Sequence, residues 1–382
     1  MKLFKNILAI VKPYFLKGGK LEKMYPAYDA FETFLFVPGH TTNSGSHIRD
    51  AIDLKRTMIT VVLALFPALF FGMWNVGQLH FTAIGQDFTL TSAFFFGFWK
   101  ILPLIIVSYI VGLTIEFAFA VSRGHSVNEG YLVTGILIPM IMPIDVPLWM
   151  LAISVIFAVI IGKEVFGGTG MNIMNPALTA RAFLFFAYPS YMSGDKVWTH
   201  TGGIKTVDGF SGATPLADLA SNNPLDVSMI GSFFYGTIPG SIAETSIIAI
   251  LIGAGILLFT GIGSWRIILS VFIGGYVMGL LFNLWGANEF MMLPPHIHLL
   301  LGGFAFGAVF MATDPVTASQ TNIGKYIVGF FIGVLAILIR VFNPAYPEGM
   351  MLAILFMNIF APLVDYYVVG RNIKRRLNRV KK

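Results

Sequence analysis

The sequence contains no cysteine and little charge. Without cysteine the chain can form no disulfide, no Cys-ligated iron–sulfur cluster and no thiol nucleophile, so any redox chemistry requires a cofactor held in another way. Only 12% of the residues are charged, whereas soluble domains average about 25%. With 56% hydrophobic residues and a mean hydropathy of +0.77, the composition predicts an integral membrane protein.

Other chemical patterns are missing as well. The His residues show no metal-ligand spacing, since Pro295-His296-Ile297-His298 stands alone. No nucleophile with a triad pattern occurs, which argues against hydrolysis, and no NADH-binding pattern occurs, so the chain is not expected to take electrons from NADH unaided. The net charge of +6 gives no reason to propose nucleic acid as a partner.

The first 56 residues are basic and contain no segment long enough to span a membrane. Leu3 to Phe15 places Lys among apolar residues, which is typical of a basic helix lying on an anionic surface. A signal peptide is rejected because Lys12 and Pro13 interrupt the apolar run and no small-residue cleavage site follows. Residues 46–56 are either a second amphipathic piece or a solvated linker.

Ten apolar segments follow, and they predict an all-α polytopic membrane protein. Their approximate limits are 57–76, 96–120, 130–143, 147–163, 174–189, 241–260, 266–286, 298–313, 325–343 and 350–370. The third and the eighth are short and contain several Gly or Pro residues. Short, interrupted segments at matching positions in two halves indicate an inverted repeat with a site near its middle. We therefore predict a membrane domain over 57–370 of about ten transmembrane helices in two inverted five-helix repeats.

The basic residues predict the orientation of this domain. With about ten spans, most Lys and Arg residues lie on the same side of the membrane as the N-terminus, including those of the tail at 371–382. Because Lys and Arg are enriched on the cytoplasmic side of membrane proteins, both termini are predicted to be cytoplasmic. The polar stretch at about 190–240 is then predicted to lie outside the membrane.

This polar stretch contains the run DGFSGATPLA, from Asp208 to Ala217. The run has the features of a helix start, with Thr214 as the N-cap, Pro215 at the first helical position and Asp218 in the first turn. Free backbone N–H groups at a helix start can bind phosphate, so a phosphate joined to an N-cap Thr would be stabilised there.

A second run, Gly162 to Phe183, is too rich in glycine for the interior of a helix. It lacks the Gly-Lys-Ser/Thr of a P-loop, and we interpret it as a tight re-entrant turn capped by Asn175-Pro176. Non-helical backbone at membrane depth is tolerated only where it is buried in protein or lines a cavity.

Carboxylates inside or at the edge of the predicted spans are rare, and each is a candidate functional group. They are Glu116, Glu129, Glu164, Glu244 and Asp365. They could bind a cation, relay a proton, or pair with Lys163, Arg123 or the basic tail.

Four runs together carry a family resemblance: NEGYLVTGILIP, EVFGGTGMNIMNPALTARAFLFFAYP, DGFSGATPLA and FMATDPVTA. In this order they resemble the B subunits of bacterial Na⁺-translocating NADH:quinone reductases. The likeness covers essentially the whole chain. It implies a urea-transporter-like fold and a place beside the other subunits of that complex in the bacterial cytoplasmic (inner) membrane.

The resemblance implies FMN joined through its phosphate to Thr214 by a flavin transferase that acts outside the cytoplasmic membrane. The attachment motif would comprise Asp208, Ser211, Gly212 and Ala213. Electrons would then pass to a dissociable riboflavin and on to ubiquinone or menaquinone. Asn172 and Asn175 are candidates for holding the riboflavin because of their place in the Gly-rich run.

For quinone, the resemblance points to the N-terminal segment and to the third apolar segment, hence to Gly130 and Gly135. For Na⁺ it points to Glu129 and Asp365. Two alternatives remain: the homologous D subunit of the ferredoxin:NAD⁺ electron-transport complex, and a urea-transporter-like solute channel in which Thr214 is only a helix cap.

Overall fold

The computed structural model describes residues 2–16, 18–36, 45, 54–124, 127, 130–195, 197–204, 206–207, 210–221, 223–225, 227–343 and 349–380. These residues form helices and connecting loops, with no β-strand among them. The helices up to residue 240 are α1 (Lys2–Phe15), α2 (Tyr25–Leu35), α3 (Leu54–Ile84), α4 (Leu90–Arg123), α5 (Tyr131–Met140), α6 (Leu148–Ile160), α7 (Pro176–Ala187), α8 (Pro189–Met192), α9 (Pro215–Ala220) and α10 (Ile230–Tyr235). Those that follow are α11 (Ile247–Phe259), α12 (Trp265–Trp285), α13 (Glu289–Met292), α14 (Pro295–Leu300), α15 (Phe304–Phe306), α16 (Asn322–Phe342) and α17 (Met350–Val380).

Six of the predicted segments are helices long and apolar enough to cross a membrane. They are α3, α4, α6 with its extension to Phe166, α12, α16 and α17. Helices α5, α7 and α11 are apolar but have only 10, 12 and 13 residues, or roughly 15 to 20 Å at 1.5 Å per residue, whereas the hydrocarbon core is about 30 Å thick. The prediction of a multi-pass, all-helical membrane protein is confirmed.

The eighth predicted segment is divided into short pieces. Helix α14 ends at Leu300, Gly302 and Gly303 adopt left-handed backbone with φ of 60° and 67°, and α15 continues into a π-helical turn at Gly307–Met311. Left-handed backbone of this kind favours glycine, because the Cβ atom of any other residue would lie too close to the neighbouring backbone. The break therefore follows directly from the Leu-Gly-Gly sequence.

The last helix continues past the predicted end of the last span at residue 370. Helix α17 runs from Met350 to Val380, so the basic tail predicted from residue 371 is helical as far as Val380. Charged residues with long side chains are good helix formers, and a helix that has left the hydrocarbon needs no apolar sequence to continue.

The N-terminal helices form a hairpin. Tyr28 Oη donates to the carbonyl oxygen of Leu8 at 3.0 Å, and the rings of Phe15 and Tyr28 stack with centroids 5.2 Å apart. Lys12 Nζ lies 2.8 Å from a carboxylate oxygen of Glu32, and this hydrogen bond raises the pKa of Lys12. The predicted basic helix is thus present, with one of its cations paired to α2.

The two halves of the described membrane domain use similar helix pairs. In the first half, α4 contacts α3, α5 and α6, and α6 contacts α7. In the second half, α12 contacts α14 and α16, and α16 contacts α17. The halves meet where α3 packs on α11 and where α7 packs on α17.

Helices α12 and α16 approach each other through small residues. A Cβ on Gly333 would lie 2.1 Å from the backbone oxygen of Val271, and one on Gly274 would lie 2.1 Å from that of Phe330. Because lipid gives no hydrophobic reason for helices to associate, such close backbone contact is a main source of their attraction.

We predict that Gly333→Val destabilises the fold, because overpacking without room to relax costs about 2 kcal/mol or more. Gly255→Val in α11 is the matched control, since a Cβ there meets no atom within 4 Å. The thermal unfolding midpoint of the detergent-solubilised protein should fall for Gly333→Val and stay near wild type for Gly255→Val. Equal midpoints for the two variants would contradict the close packing of α12 and α16.

Candidate functional site

The run around Thr214 forms the predicted helix start. Thr214 is the N-cap of α9, and its Oγ1 accepts from the Ala217 N–H at 3.2 Å. A Cβ on Gly212 would lie 2.2 Å from the backbone oxygen of Asp195, so only glycine fits this approach. Ser211 is exposed, and its Oγ accepts from the Ala213 N–H at 3.3 Å. Asp208 lies outside the described residues.

Helix α9 differs from the expectation in its length. It has only six residues, so its dipole is small. The N–H groups of Ala217 and Asp218 already donate to the Thr214 carbonyl oxygen, at 2.8 and 3.1 Å. Burial, and to a lesser extent the Asp195 carboxylate, raises the pKa of Asp218. The short helix alone is therefore a weak anion site.

Thr214 borders a cavity of about 40 Å³, which we call the Thr214 cavity. Its polar lining comprises Thr214, Ser241, Glu244, Thr245 and the Gly302-Gly303 turn. Ser241 is 3% exposed, and its hydroxyl has no hydrogen-bond partner among the described residues. An unpartnered buried hydroxyl costs free energy. A polar group entering this cavity would relieve that cost, and in this respect the lining fits the ribityl hydroxyls that a flavin attached to Thr214 would bring.

One wall of the Thr214 cavity carries a buried ion pair. Arg181 Nη1, on α7, lies 3.0 Å from a carboxylate oxygen of Glu244, and both side chains are largely buried, with 3% and 11% exposed. The sequence identifies Glu244 as a candidate functional group but does not indicate Arg181 as its partner. Because the two residues are 63 positions apart, no local pattern could have paired them.

The Gly-rich run is the predicted re-entrant turn. Gly167, Gly168 and Gly170 have positive φ, and the Asn175 side chain accepts from the Ala177 and Leu178 N–H groups at 2.9 and 3.3 Å. Asn175 is therefore the N-cap of α7. The predicted capping by Asn175-Pro176 is confirmed.

This turn lines a second cavity, of about 100 Å³, which we call the Asn175 cavity. Its polar lining includes Gly130, Lys163, Thr169, Asn172, Asn175, Thr313 and Asp314. Its apolar lining includes Val133, Leu137, Leu257 and Phe310. Apolar walls with a few amide, hydroxyl and carboxylate groups suit a flat heteroaromatic ring with polar edges. Ligand pockets usually measure about 300 to 1,000 Å³, so the cavity must widen to admit a three-ring flavin.

Two residues of the Asn175 cavity, Asp314 and Lys163, were not predicted from the sequence to line a ligand site. Asp314, in the run FMATDPVTA, accepts from Thr317 Oγ1 at 2.9 Å and lies 3.5 Å from Asn175 Nδ2. Lys163 is buried and forms an ion pair with Glu116 of α4. The sequence considered Lys163 only as one of several partners for a membrane carboxylate, and Glu116 is the carboxylate that it meets.

Glu164, the acidic residue of the Gly-rich run, is also paired. Arg123, at the end of α4, donates from Nη1 to the Glu164 carboxylate at 2.8 Å and from Nη2 to its backbone oxygen at 2.9 Å. For Glu116 and Glu164 the structure thus shows the ion pairs that the sequence left open as one alternative.

The structure separates the two glycine candidates for quinone. Gly130 borders the Asn175 cavity, and a Cβ on it would lie 2.6 Å from Thr169 Cγ2. Gly135 lies outside this lining and packs against the rings of Tyr109 and Tyr131, where a Cβ would come within 2.8 and 3.0 Å. Glu129, one of the sodium candidates, lies outside the described residues.

Asp365 lies apart from both cavities. Its carboxylate accepts four hydrogen bonds, from the Ser319 and Thr321 hydroxyls at 2.6 and 2.5 Å and from the Gln320 and Thr321 N–H groups at 2.7 and 3.0 Å. These bonds join α17 to the turn before α16. Asp365 therefore has a structural role that the sequence did not predict.

Helix α7 connects the two cavities. Its first residues, Asn175 and Pro176, border the Asn175 cavity, and Arg181 pairs with Glu244 at the Thr214 cavity. Five residues of helix correspond to roughly 8 Å along its axis. The candidate residues Thr214, Asn172, Asn175 and Gly130 thus fall into two neighbouring cavities.

Comparison with known proteins agrees with the resemblance seen in the sequence. Residues 41–374 match the family described as NQR2, RnfD, RnfE. The B subunit of the Na(+)-translocating NADH-quinone reductase of Chromohalobacter salexigens is 49% identical, over 98% of this chain and 96% of the relative. The B subunits of the same enzyme from Ectopseudomonas mendocina and Klebsiella pneumoniae are 52% and 48% identical, over 96% and 98% of this chain and 96% and 99% of the relatives. The chain belongs to the NQR2, RnfD, RnfE family.

Proposed function

We propose that this chain is the B subunit of a Na⁺-translocating NADH:quinone reductase in a bacterial cytoplasmic membrane. In this role it relays electrons from FMN on Thr214 to a dissociable riboflavin and on to ubiquinone or menaquinone, while Na⁺ moves outward. The observation that carries the proposal is that α7 links the two cavities: its N-cap Asn175 lines the Asn175 cavity, and its Arg181 pairs with Glu244, which lines the Thr214 cavity. The names of the near-full-length relatives support it.

At the Thr214 cavity, the chain provides the attachment point. A bound flavin supplies two-electron uptake and one-electron release, which no side chain of this cysteine-free protein offers. Exposed Ser211 and half-buried Thr214 are accessible to a flavin transferase that recognises the run from Asp208 to Thr214. Arg181 offsets the Glu244 charge near the added phosphate.

At the Asn175 cavity, the chain provides a polar edge and apolar walls for riboflavin. Asn172 and Asn175 offer amide groups, and Thr313 and Asp314 lie on the same lining. Gly130 belongs to this lining too, so quinone would approach the riboflavin from the start of α5, with Gly135 allowing α5 to pack against α4.

For sodium, we propose Glu129 and Asp365 as carboxylate ligands. Carboxylates are suitable ligands for a hard cation. The four hydrogen bonds that Asp365 accepts must rearrange for a cation to bind, so its cation affinity depends on the position of the turn at Ser319–Thr321.

We propose that the membrane domain consists of two inverted five-helix repeats of the urea-transporter type, with both termini in the cytoplasm and the loop around 190–240 outside. The matching helix contacts in the two halves, and the short α5 and broken α14–α15 at equivalent places, support the repeat. Because Lys163, Arg181 and Arg340 are buried within the protein, their charges do not indicate the orientation. The basic N-terminal segment and tail still favour a cytoplasmic side for both termini.

The alternatives make different predictions. The D subunit of the ferredoxin:NAD⁺ complex would also carry FMN on Thr214, so only assembly partners and quinone reduction distinguish it. A solute channel would purify colourless. The identity of about 50% to relatives named as B subunits of the quinone reductase, along nearly their whole length, favours the same role for this chain.

We predict that Thr214→Asn abolishes covalent flavin while α9 stays formed. Asn caps helices as well as Thr does but has no hydroxyl to esterify, whereas Thr214→Ala also loses the cap, at a cost of about 1 kcal/mol. Peptide mass spectrometry and in-gel flavin fluorescence after expression with a flavin transferase would measure the result. Covalent flavin retained on either variant would refute the attachment site.

We predict that Asn172→Ala weakens the binding of the dissociable flavin and leaves the covalent flavin unchanged. Its covalent flavin should match wild type, while its affinity for dissociable riboflavin falls about tenfold, as expected for the loss of about 1.4 kcal/mol of hydrogen bonding. Acid extraction and chromatography of the purified complex would measure the dissociable flavin, with Thr214→Asn as the reciprocal control. A normal riboflavin content in Asn172→Ala would argue against the Asn175 cavity.

We predict that Asp365→Asn raises the Na⁺ concentration for half-maximal turnover roughly tenfold, the effect of losing about 1.4 kcal/mol of cation binding. Ser319→Ala is the control, because it removes one hydrogen bond to the carboxylate but leaves its charge. If both variants shift the Na⁺ titration equally, or neither does, Asp365 is a structural residue only.

A further inference from the structure

A groove of about 780 Å³ lies between the start of α16 and the end of α17, and its lining shares no residue with the Thr214 cavity or the Asn175 cavity. Its lining includes Ile323, Ile327, Tyr367, Arg371, Lys374 and Arg375. Three of the lining residues are cationic, and no Asp or Glu is among them. The acidic residue of the described part of α17, Asp365, is held by the turn before α16. The groove is therefore strongly positive.

The polar and apolar parts of the groove are separated. The cations and amides come from the last three turns of α17, whereas Ile323 and Ile327 come from the first two turns of α16 and are 54% and 37% exposed. Residues 367, 371, 374 and 378 recur at helical spacing, so they form one face of α17. A ligand that fills this groove must carry an anionic group at one end and an apolar part at the other.

Aromatic side chains place the groove at a membrane surface. Tyr366 and Tyr367 are 73% and 68% exposed at the point where α17 changes from apolar to basic sequence. Trp265 and Tyr326, at the starts of α12 and α16, contact each other with ring centroids 6.0 Å apart. Trp and Tyr concentrate at the level of lipid headgroups. The groove cations on α17 then lie at headgroup depth, and the two isoleucines face the acyl chains.

We propose that this groove binds an anionic phospholipid, with its phosphate between Arg371, Lys374 and Arg375 and an acyl chain along Ile323 and Ile327. Basic pockets between transmembrane helices recognise anionic headgroups in this way. A free phosphate ion would use only the cationic end. The lipid clamps α17 to α16 next to the turn that holds Asp365, and this assignment is independent of the flavin sites.

The test compares two variants that lose the same charge from the same helix. Arg371→Gln with Arg375→Gln removes two groove cations, and Arg376→Gln with Arg379→Gln removes two that do not line it. The full-length chain would be delipidated in mild detergent, titrated with phosphatidylglycerol or phosphatidylcholine, and examined by native mass spectrometry and thermal unfolding. Size-exclusion chromatography verifies that each variant is folded.

We expect wild type and the Arg376/Arg379 variant to retain phosphatidylglycerol and to gain thermal stability from it. The Arg371→Gln/Arg375→Gln variant should need a roughly tenfold higher phosphatidylglycerol concentration for the same gain in thermal stability. Phosphatidylcholine should not replace phosphatidylglycerol. Arg371→Lys with Arg375→Lys should retain most of the binding, which covers the case in which the Gln variant does not fold.

Four outcomes would overturn the proposal. An equal loss of phosphatidylglycerol binding in both Gln variants would mean that the tail acts only through its net charge. Unchanged phosphatidylglycerol binding in both would mean that the groove is not a lipid site. Full competition by inorganic phosphate would indicate a free-anion site. A stoichiometric acidic polypeptide that displaces the lipid would indicate a protein interface.

Discussion

The membrane core offers no water to hydrogen-bond a free backbone group, and the architecture of this protein depends on how that requirement is met where helices break. Arg340 is fully buried and donates to the carbonyl oxygens of His298 and Leu301, at 2.7 and 3.0 Å, where α14 ends. Asn283 donates to the carbonyl oxygens of Met291 and Leu293 at 2.6 and 2.8 Å. Asn175 acts at the N-terminal end of a helix, where its side-chain oxygen accepts hydrogen bonds from the first free N–H groups of α7. Side chains that replace water thus make interrupted helices possible.

Both cavities lie at such interruptions. The Asn175 cavity is bounded by the Gly-rich turn before α7, and the Thr214 cavity by the Gly302-Gly303 turn after α14. A continuous helix presents only side chains to its neighbours, whereas a break also exposes backbone and leaves room. The breaks beside α7 and α14 therefore provide polar cavities in a mostly apolar bundle.

The features that were read correctly from the sequence are local. Thr214 before Pro215, Asn175 before Pro176 and the Gly302-Gly303 break follow from backbone preferences that act over a few residues. The ion pairs Lys163 with Glu116 and Arg181 with Glu244 join residues 47 and 63 positions apart, so tertiary packing alone determines them. For the same reason Asp314 was missed: its place beside Asn175 depends on how the two halves meet. The burial of Lys163 and Arg181 likewise depends on tertiary packing, which composition does not reveal.

The buried ion pairs have a consequence for whatever occupies the cavities. Each cavity has one member of a pair in its lining, Lys163 at the Asn175 cavity and Glu244 at the Thr214 cavity. A buried pair gains little net stability, but removing one partner leaves an uncompensated charge that costs several kcal/mol. A negative charge brought into the Asn175 cavity would compete with Glu116 for Lys163, and one at the Thr214 cavity would compete with Glu244 for Arg181. A change in the charge of a ligand would therefore alter the forces on α4, which carries Glu116, and on α7, which carries Arg181. These forces are strong because the ion pairs are buried, where water does not screen them.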